Sequence, residues 1–307
     1  MDRRRGTLFG VAAYALWGSF PLYFPLLEPA GPLEILACRV VFSLVVVVLL
    51  LGARGRLSGA SRLGALALRR LAVAAVLIAV NWGVYIWAVN HQHVVEASLG
   101  YFINPLVTVG LGVLVLHERL RRGQWVAIGV GLLAVAVLTV DYGRPPWLAL
   151  ILAASFGGYG LVKKRVGVPA ASGLLVESAV LTLPAVAALV VLGAQGTLTL
   201  GHHGAGHDAL LASAGLVTAV PLLLFAGAAA RLPLSSLGLL QYLTPVLQLG
   251  VGVLVRHEPM PPARLAGFAL VWAALGLLTV DALRHRGAVE QPLPTVPDPV
   301  HPLVPAG

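Results

Sequence analysis

The 307-residue chain is 58% hydrophobic and only 11% charged, with a mean hydropathy of +0.90, which excludes a water-soluble globular fold. Its net charge of +9 comes in short basic clusters between apolar runs, so a bilayer surface rather than nucleic acid is the implied partner. With Cys38 as the lone cysteine, no internal disulfide can form.

A helix crosses the hydrocarbon core with about 20 apolar residues. Ten such runs follow one another: 7–27, 33–52, 71–90, 95–116, 123–140, 147–163, 171–193, 209–229, 235–255 and 263–282. The first follows Arg3, Arg4 and Arg5 as a secretory signal would, but Pro21, Pro25 and the missing small-x-small cleavage site favour a retained helix. The tail 287–307 carries six prolines, cannot pack a core and reads as disordered.

Numbering the segments alternately in and out puts 17 of the 21 basic residues on one side. They are Arg3, Arg4, Arg5, Arg54, Arg56, Arg62, Arg69, Arg70, Arg119, Arg121, Arg122, Lys163, Lys164, Arg165, Arg231, Arg284 and Arg286. Only Arg144, Arg256 and Arg264 fall opposite, and Arg39 lies inside the second run. The positive-inside bias therefore places both termini in the cytoplasm. Arg outnumbers Lys 19 to 2, which fits a bacterial coding bias and hence the inner membrane.

Two halves are legible. Leu138-Thr139-Val140-Asp141 recurs as Leu278-Thr279-Val280-Asp281, His117-Glu118 as His257-Glu258 and Pro105 as Pro245, all displaced by 140 positions. Toward the N-terminus Arg39 stands opposite Glu177, and Trp17-Gly18 opposite Tyr159-Gly160, at 138 and 142. Five helices per half is odd, so the second half must thread inversely. The fold expected is all-α and integral to the membrane: ten helices as two inverted repeats, 1–142 and 143–286. Such repeats place a substrate near the midplane and supply two equivalent gates.

Ionisable groups inside a span are costly unless they face a cavity or a partner. Arg39 lies about 10 Å in from the outer boundary by helical rise and suits an anionic group such as a carboxylate. Its mate Glu177 suits a proton or cation. The bland alternative for both is a structural charge satisfied by a neighbouring helix. Asn81 and Tyr85 share a face of the third helix at i, i+4, beside Trp82, and would wall a modest organic solute. Trp87 reads better as packing or an interfacial anchor.

On the fourth helix stand Glu96, Tyr101 and Asn104, with Pro105 freeing a carbonyl one turn earlier. Gln241, Thr244 and Gln248 form the polar stripe of the ninth, for which helix–helix hydrogen bonding is the plain alternative. Tyr14 and Trp17 on the first helix and Tyr159 on the sixth complete the expected binding set. His91-x-His93-x-x-Glu96 has ligand types but straddles a short outer loop without a further ligand, so no metal is expected. His91 and Glu96 are instead candidates for gating or coupling. The His-rich segment Gly201–Asp208 reads as a solvated loop, and Glu118 and Glu258 as charges complementing the N-terminus of the helix that follows each.

The stretch Asn81-Trp82-Gly83-Val84-Tyr85-Ile86-Trp87-Ala88-Val89-Asn90-His91, continued by Glu96-Ala97-Ser98-Leu99-Gly100-Tyr101-Phe102-Ile103-Asn104-Pro105-Leu106, resembles the hallmark of RarD-type members of the EamA family of drug/metabolite transporters. Tyr14-Ala15-Leu16-Trp17-Gly18-Ser19-Phe20-Pro21 and Glu34-Ile35-Leu36-Ala37-Cys38-Arg39 are similar to that subgroup as well. The resemblance covers the first 285 or so residues, and its N-terminal half is the more specific. It implies ten helices, a plasma-membrane location and solute movement without nucleotide hydrolysis. The departures are Pro259, Pro261 and Pro262 between the last two runs, and the Gly-His segment.

No nucleotide loop, nucleophile elbow or metalloprotease motif is present in the sequence, so no enzyme and no cofactor are expected. The leading reading is a secondary transporter, in the export direction, of an amino acid, other metabolite or drug, with proton coupling through Glu177 or Glu96. The alternative is a membrane scaffold or sensor. The partners expected are a small solute, lipid and, as an open option, a second copy in a homodimer.

Overall fold

The chain's structure, a computed structural model, describes residues 2–53, 63–116, 120–166, 168, 170–229, 231–232 and 234–284. His117-Glu118, Arg54, Arg56, Arg62, Arg119, Arg286 and the tail 287–307 lie outside the described residues. Every regular element among the described residues is helical, the outcome expected when each segment must satisfy its backbone groups without water. The order is α1 (Asp2–Gly18), α2 (Phe20–Tyr23) with a 3-10 turn (Phe24–Leu27), α3 (Pro32–Ala53), α4 (Ala65–Asn90), α5 (Val94–Leu116) and α6 (Arg122–Tyr142). It continues with α7 (Trp147–Val166), α8 (Ala170–Ala194), α9 (Ala205–Ala229), α10 (Leu234–Leu240), α11 (Leu243–Gly250) with a π turn (Val251–Val255), and α12 (Pro262–Arg284).

Each of the ten apolar runs is helical, but they are not ten uniform spans. Among the described residues seven helices are long and apolar enough to cross a membrane, or eight if α1 and its bent continuation count as one. Trp147–Lys163 and Leu243–Val255 are apolar but shorter. The first run turns by 42° after Gly18. Pro21 has no N–H for the carbonyl of Trp17 and its ring crowds that position. The ninth run breaks between α10 and α11, just ahead of Pro245. Large apolar side chains such as Leu183, Val140, Leu114 and Leu254 are exposed, as on a lipid-facing surface.

The most extensive helix contacts all join the first half of the chain to the second. They are α6–α12, α5–α7, α4–α7, α3–α8, α3–α9, α1–α9, α1–α11, α4–α8 and α5–α11. Under the internal repeat α1 corresponds to α7, α3 to α8, α4 to α9, α5 to α11 and α6 to α12. Contact α1–α9 is then answered by α7–α4, α5–α7 by α11–α1, and α3–α9 by α8–α4. The other three join a helix to its own counterpart. Helices α6 and α12 run antiparallel, and the repeated Leu-Thr-Val-Asp motif pairs reciprocally. Asp141 Oδ2 meets Arg264 Nε at 2.8 Å, and Asp281 Oδ2 meets Arg121 Nε at 3.1 Å. Small residues permit the tightest crossings: a Cβ on Gly215 of α9 would lie 2.5 Å from the Phe42 backbone of α3.

The turns at 28–31, 91–93, 143–146, 195–204 and 256–261 gather at one end, over a core that includes Phe24, Leu27, Ile35, Val89, Val94 and Leu211. Three buried carboxylates tie this end together. Glu258 accepts the backbone N–H groups of Val94 (2.6 Å) and Val95 (2.8 Å) at the start of α5. It therefore complements a helix of the other half rather than the one that follows it, correcting the sequence expectation. Glu34 accepts from Thr199 N–H and hydroxyl, both at 2.9 Å, and from Leu200 N–H at 2.8 Å. Glu96 takes Arg144 in a two-pronged pair at 2.8 and 3.2 Å, and the N–H of Leu148 at 3.3 Å. The Glu96 hydrogen bond holds the Arg144 guanidinium above its ordinary range. The Gly-His segment is organised rather than merely solvated: Asp208 accepts Gly201 N–H at 2.7 Å, and His207 Nε2 lies 2.8 Å from the Thr199 hydroxyl.

Candidate functional site

A cavity of about 470 Å3 lies within the bundle. Tyr14, Trp17, Arg39, Asn81, Tyr85, Tyr101, Asn104, Tyr159, Glu177, Gln241, Thr244 and Gln248 all line it. Twelve of the fourteen residues singled out from the sequence thus share one wall-to-wall space, contributed by both halves. From Arg39 the lining runs along α3 to Leu50 and Leu51, and along α7 and α8 to Lys163 and Leu174. It leads away from the carboxylate-tied end.

Arg39 is 4% exposed. Its Nε donates to Thr218 Oγ1 at 2.8 Å, and its guanidinium carbon lies 4.0 Å from the centre of the Trp82 ring, with Phe20 and Phe24 beyond at 5.3 and 5.9 Å. Stacking of this kind fixes a guanidinium plane and offsets part of its desolvation. Among the described residues no carboxylate forms a salt bridge with it.

Glu177, 3% exposed, does not meet Arg39. Its Oε1 accepts Lys163 Nζ at 2.6 Å and its Oε2 accepts the Tyr159 hydroxyl at 3.2 Å. Tyr159 and Lys163 are one turn apart on α7, so both reach the same carboxylate of α8.

Between these poles the wall is mostly aromatic. Tyr14 stands 5.5 Å from Trp17 and 6.0 Å from Phe225, and Tyr85 stands 5.6 Å from Tyr101. Asn81 is held from three sides: its Nδ2 donates to Leu152 O and Ser155 Oγ, and its Oδ1 accepts the Tyr101 hydroxyl at 3.1 Å. It ties α4 to α7 and α5. Thr244 donates to Tyr14 O at 2.9 Å, and Gln248 Nε2 donates at 3.3 Å to Trp17 O, the carbonyl that Pro21 leaves without its helical donor. Three buried polar atoms of the lining have no hydrogen-bond partner: Tyr85 Oη, Asn104 Oδ1 and Gln248 Oε1. Such orphans are rare in folded proteins and call for a water or another bound group.

Glu96 and His91 lie outside the cavity. Glu96 belongs to the Arg144 pair, and His91 stacks on Trp87 with ring centres 4.3 Å apart while its Nδ1 meets Trp87 O at 2.8 Å. Among the described residues no group of three or more His, Cys, Asp or Glu side chains could hold a metal ion. The sequence reading did not select Lys163, Thr218 or Phe225 for the site. Lys163 resembles part of a loop cluster with Lys164 and Arg165, and only its i+4 relation to Tyr159 marks it as inward. Thr218 is an isolated hydroxyl within an apolar run, a signal open to inspection.

The sequence model of the EamA-like transporter family matches residues 4–140. Protein RarD of Streptomyces exfoliatus is 56% identical over 96% of this chain and 96% of its own length. Protein RarD of Escherichia coli is 41% identical over 91% of this chain and 95% of its own. An uncharacterized transporter of Bacillus subtilis, YojE, is 41% identical over 94% and 97%. A solved crystal structure superposes on 92% of this chain and 99% of its own, with a TM-score of 0.60 and 20% identity, a likeness of fold alone.

Proposed function

The chain belongs to the RarD-type branch of the EamA-like transporter family, and from that premise we propose that it is a secondary exporter of a small organic solute by alternating access. An amino acid, another metabolite or a drug would be held in the central cavity. The observation that carries this reading is the cavity itself: about 470 Å3 inside an apolar bundle, lined by both halves, with Arg39 and three unsatisfied polar atoms in its wall. Binding sites for small molecules are commonly concave, largely apolar and provided with a few convergent polar groups. A scaffold needs only packing and has no use for them.

In this reading the ten apolar segments are ten crossings, including Trp147–Lys163 and Leu243–Val255, arranged as two inverted units over 1–142 and 143–286. The answered helix contacts and the reciprocal Asp141–Arg264 and Asp281–Arg121 pairs support it. The basic residues at the cavity's open end argue that this end, with both termini, faces the cytoplasm of a bacterial cell across the inner membrane. In this state solute loads from inside, the step with which an export cycle begins. Rocking of the two units would close the Lys163–Glu177 end and open the end tied by Glu34, Glu96 and Glu258. Glu177 is the coupling carboxylate of this scheme, with Glu96 and the neighbouring His91 on the opposite rim. Lipid covers the exposed apolar faces, and a second copy is the candidate protein neighbour.

The test is reconstitution of the full chain into liposomes, with a panel of amino acids, organic acids and drugs followed in both directions, with and without a proton gradient. Protein-dependent movement of at least one solute, lost on Arg39→Gln, is expected. Movement of none overturns the proposal.

A further inference from the structure

Among the described residues the lining of the cavity contains three charged side chains: Arg39, Lys163 and Glu177. Lys163 and Glu177 neutralise each other at 2.6 Å, and both oxygens of Glu177 are taken, one by Lys163 and one by Tyr159. One positive charge is left over, on Arg39. Its Nε is the only one of its nitrogens with a protein acceptor among the described residues, and a guanidinium has five N–H donors. The residue is 4% exposed. A buried cation of this kind is costly until an anion completes it.

From this balance the geometry points to an organic monoanion as the ligand: a carboxylate, or another singly charged oxyanion, on the outer N–H groups of Arg39, with an apolar or aromatic body along Trp17 and Phe225. This deepens the transport reading and rests on it. The hydroxyl of Tyr85, buried beside the Gln248 side chain without a close hydrogen bond, is a further donor near the same pole. Gln248 Oε1 and Asn104 Oδ1, also without partners, would accept from hydroxyl or amide groups on the ligand body. A zwitterion fits less well, because the described lining offers its ammonium no unpaired carboxylate, Glu177 being taken by Lys163 and Tyr159. A cation would meet Arg39 uncompensated.

The experiment measures binding to the purified full-length protein by quenching of tryptophan fluorescence, checked by calorimetry. Four probes share one ring and differ in charge: phenylpropanoate, phenylpropanamide, phenylalanine and phenethylamine. Phenylpropanoate is expected to bind at least about tenfold more tightly than each of the other three, as pairing of a close buried charge requires. Arg39→Gln should remove that preference while leaving the amide's weaker binding in place. Arg39→Lys, which keeps the charge without the planar fork, should retain part of it.

Equal or tighter binding of phenylalanine or phenethylamine, binding of none of the four, or a preference that survives Arg39→Gln overturns the proposal. The comparison among probes on the unaltered protein stands even if Arg39→Gln fails to fold. Binding with the expected preference but no movement of phenylpropanoate or any panel solute across liposomes would instead sink the transport reading.

Discussion

The two ends of the bundle are closed by different chemistry. At the end of the α4–α5 and α8–α9 turns, Glu34, Glu96 and Glu258 accept backbone N–H groups from elements of the opposite half, over a packed core. At the other end the cavity runs out past one ion pair between side chains, Lys163–Glu177. A carboxylate on helix N-terminal amides is a directional, charge-assisted contact that lipid cannot replace. An ion pair between two side chains can be broken and remade with little change of backbone. The comparison assigns rigidity in this state to the first end and access to the second.

The largest expected effect comes from the tied end. Glu258→Ala strands two N–H groups at the start of α5 and should cost about 2–4 kcal/mol, read as a lower midpoint of thermal unfolding. It should also open that end to a membrane-impermeant maleimide, tested on a cysteine placed at Val94 in a Cys38→Ser background. Unchanged stability and labelling would remove the basis for calling this end latched.

At the crossing between the ends, Gly215→Ala pushes a methyl into the Phe42 backbone and should cost about 1–3 kcal/mol, as overpacking does. Serine there should behave like alanine, since the obstacle is steric. In the cavity, Arg39→Gln should reduce transport at least about tenfold by removing its one uncompensated charge, with the unfolding midpoint shifted less than in Glu258→Ala. The reverse order would make Arg39 a structural charge. Smallest is Arg121→Ala: its side chain is 42% exposed, and such a pair contributes under about 1 kcal/mol. Its counterpart Arg264, 14% exposed and paired with Asp141, should cost more when truncated. Equal costs would separate the two repeats' pairs from burial as the cause.

Much of the cavity was legible in the sequence because polar side chains inside apolar runs have so few places to go. Arg39, Asn81, Gln241, Thr244 and Gln248 were found by that argument, Trp17 and Tyr159 through the internal repeat, and the cavity gathers them. What pairs with each was not legible. Asn81 could be seen to face inward, but not that Leu152, Ser155 and Tyr101 would take both of its amide hydrogens and its carbonyl oxygen. Glu258 was matched to its neighbour in sequence, whereas its partners lie 164 and 163 positions away at Val94 and Val95. Glu34 entered only as part of a resemblance, and its role depends on a turn of the opposite half. The breaks after Gly18 and before Pro245 fall beside prolines within runs read as continuous, and a proline states where a hydrogen bond is missing and not the angle that follows.

The account's central claim is that the cavity is exposed alternately at its two ends. Spin labels on Gln92→Cys and His202→Cys report the tied end, and a second pair on Arg4→Cys and Arg165→Cys reports the open one, all in the Cys38→Ser protein in liposomes. With a transported solute present, the account predicts reciprocal change: a longer-distance population at Gln92–His202 with a shorter one at Arg4–Arg165. Single, unchanged distances at both ends while solute crosses the membrane would contradict it.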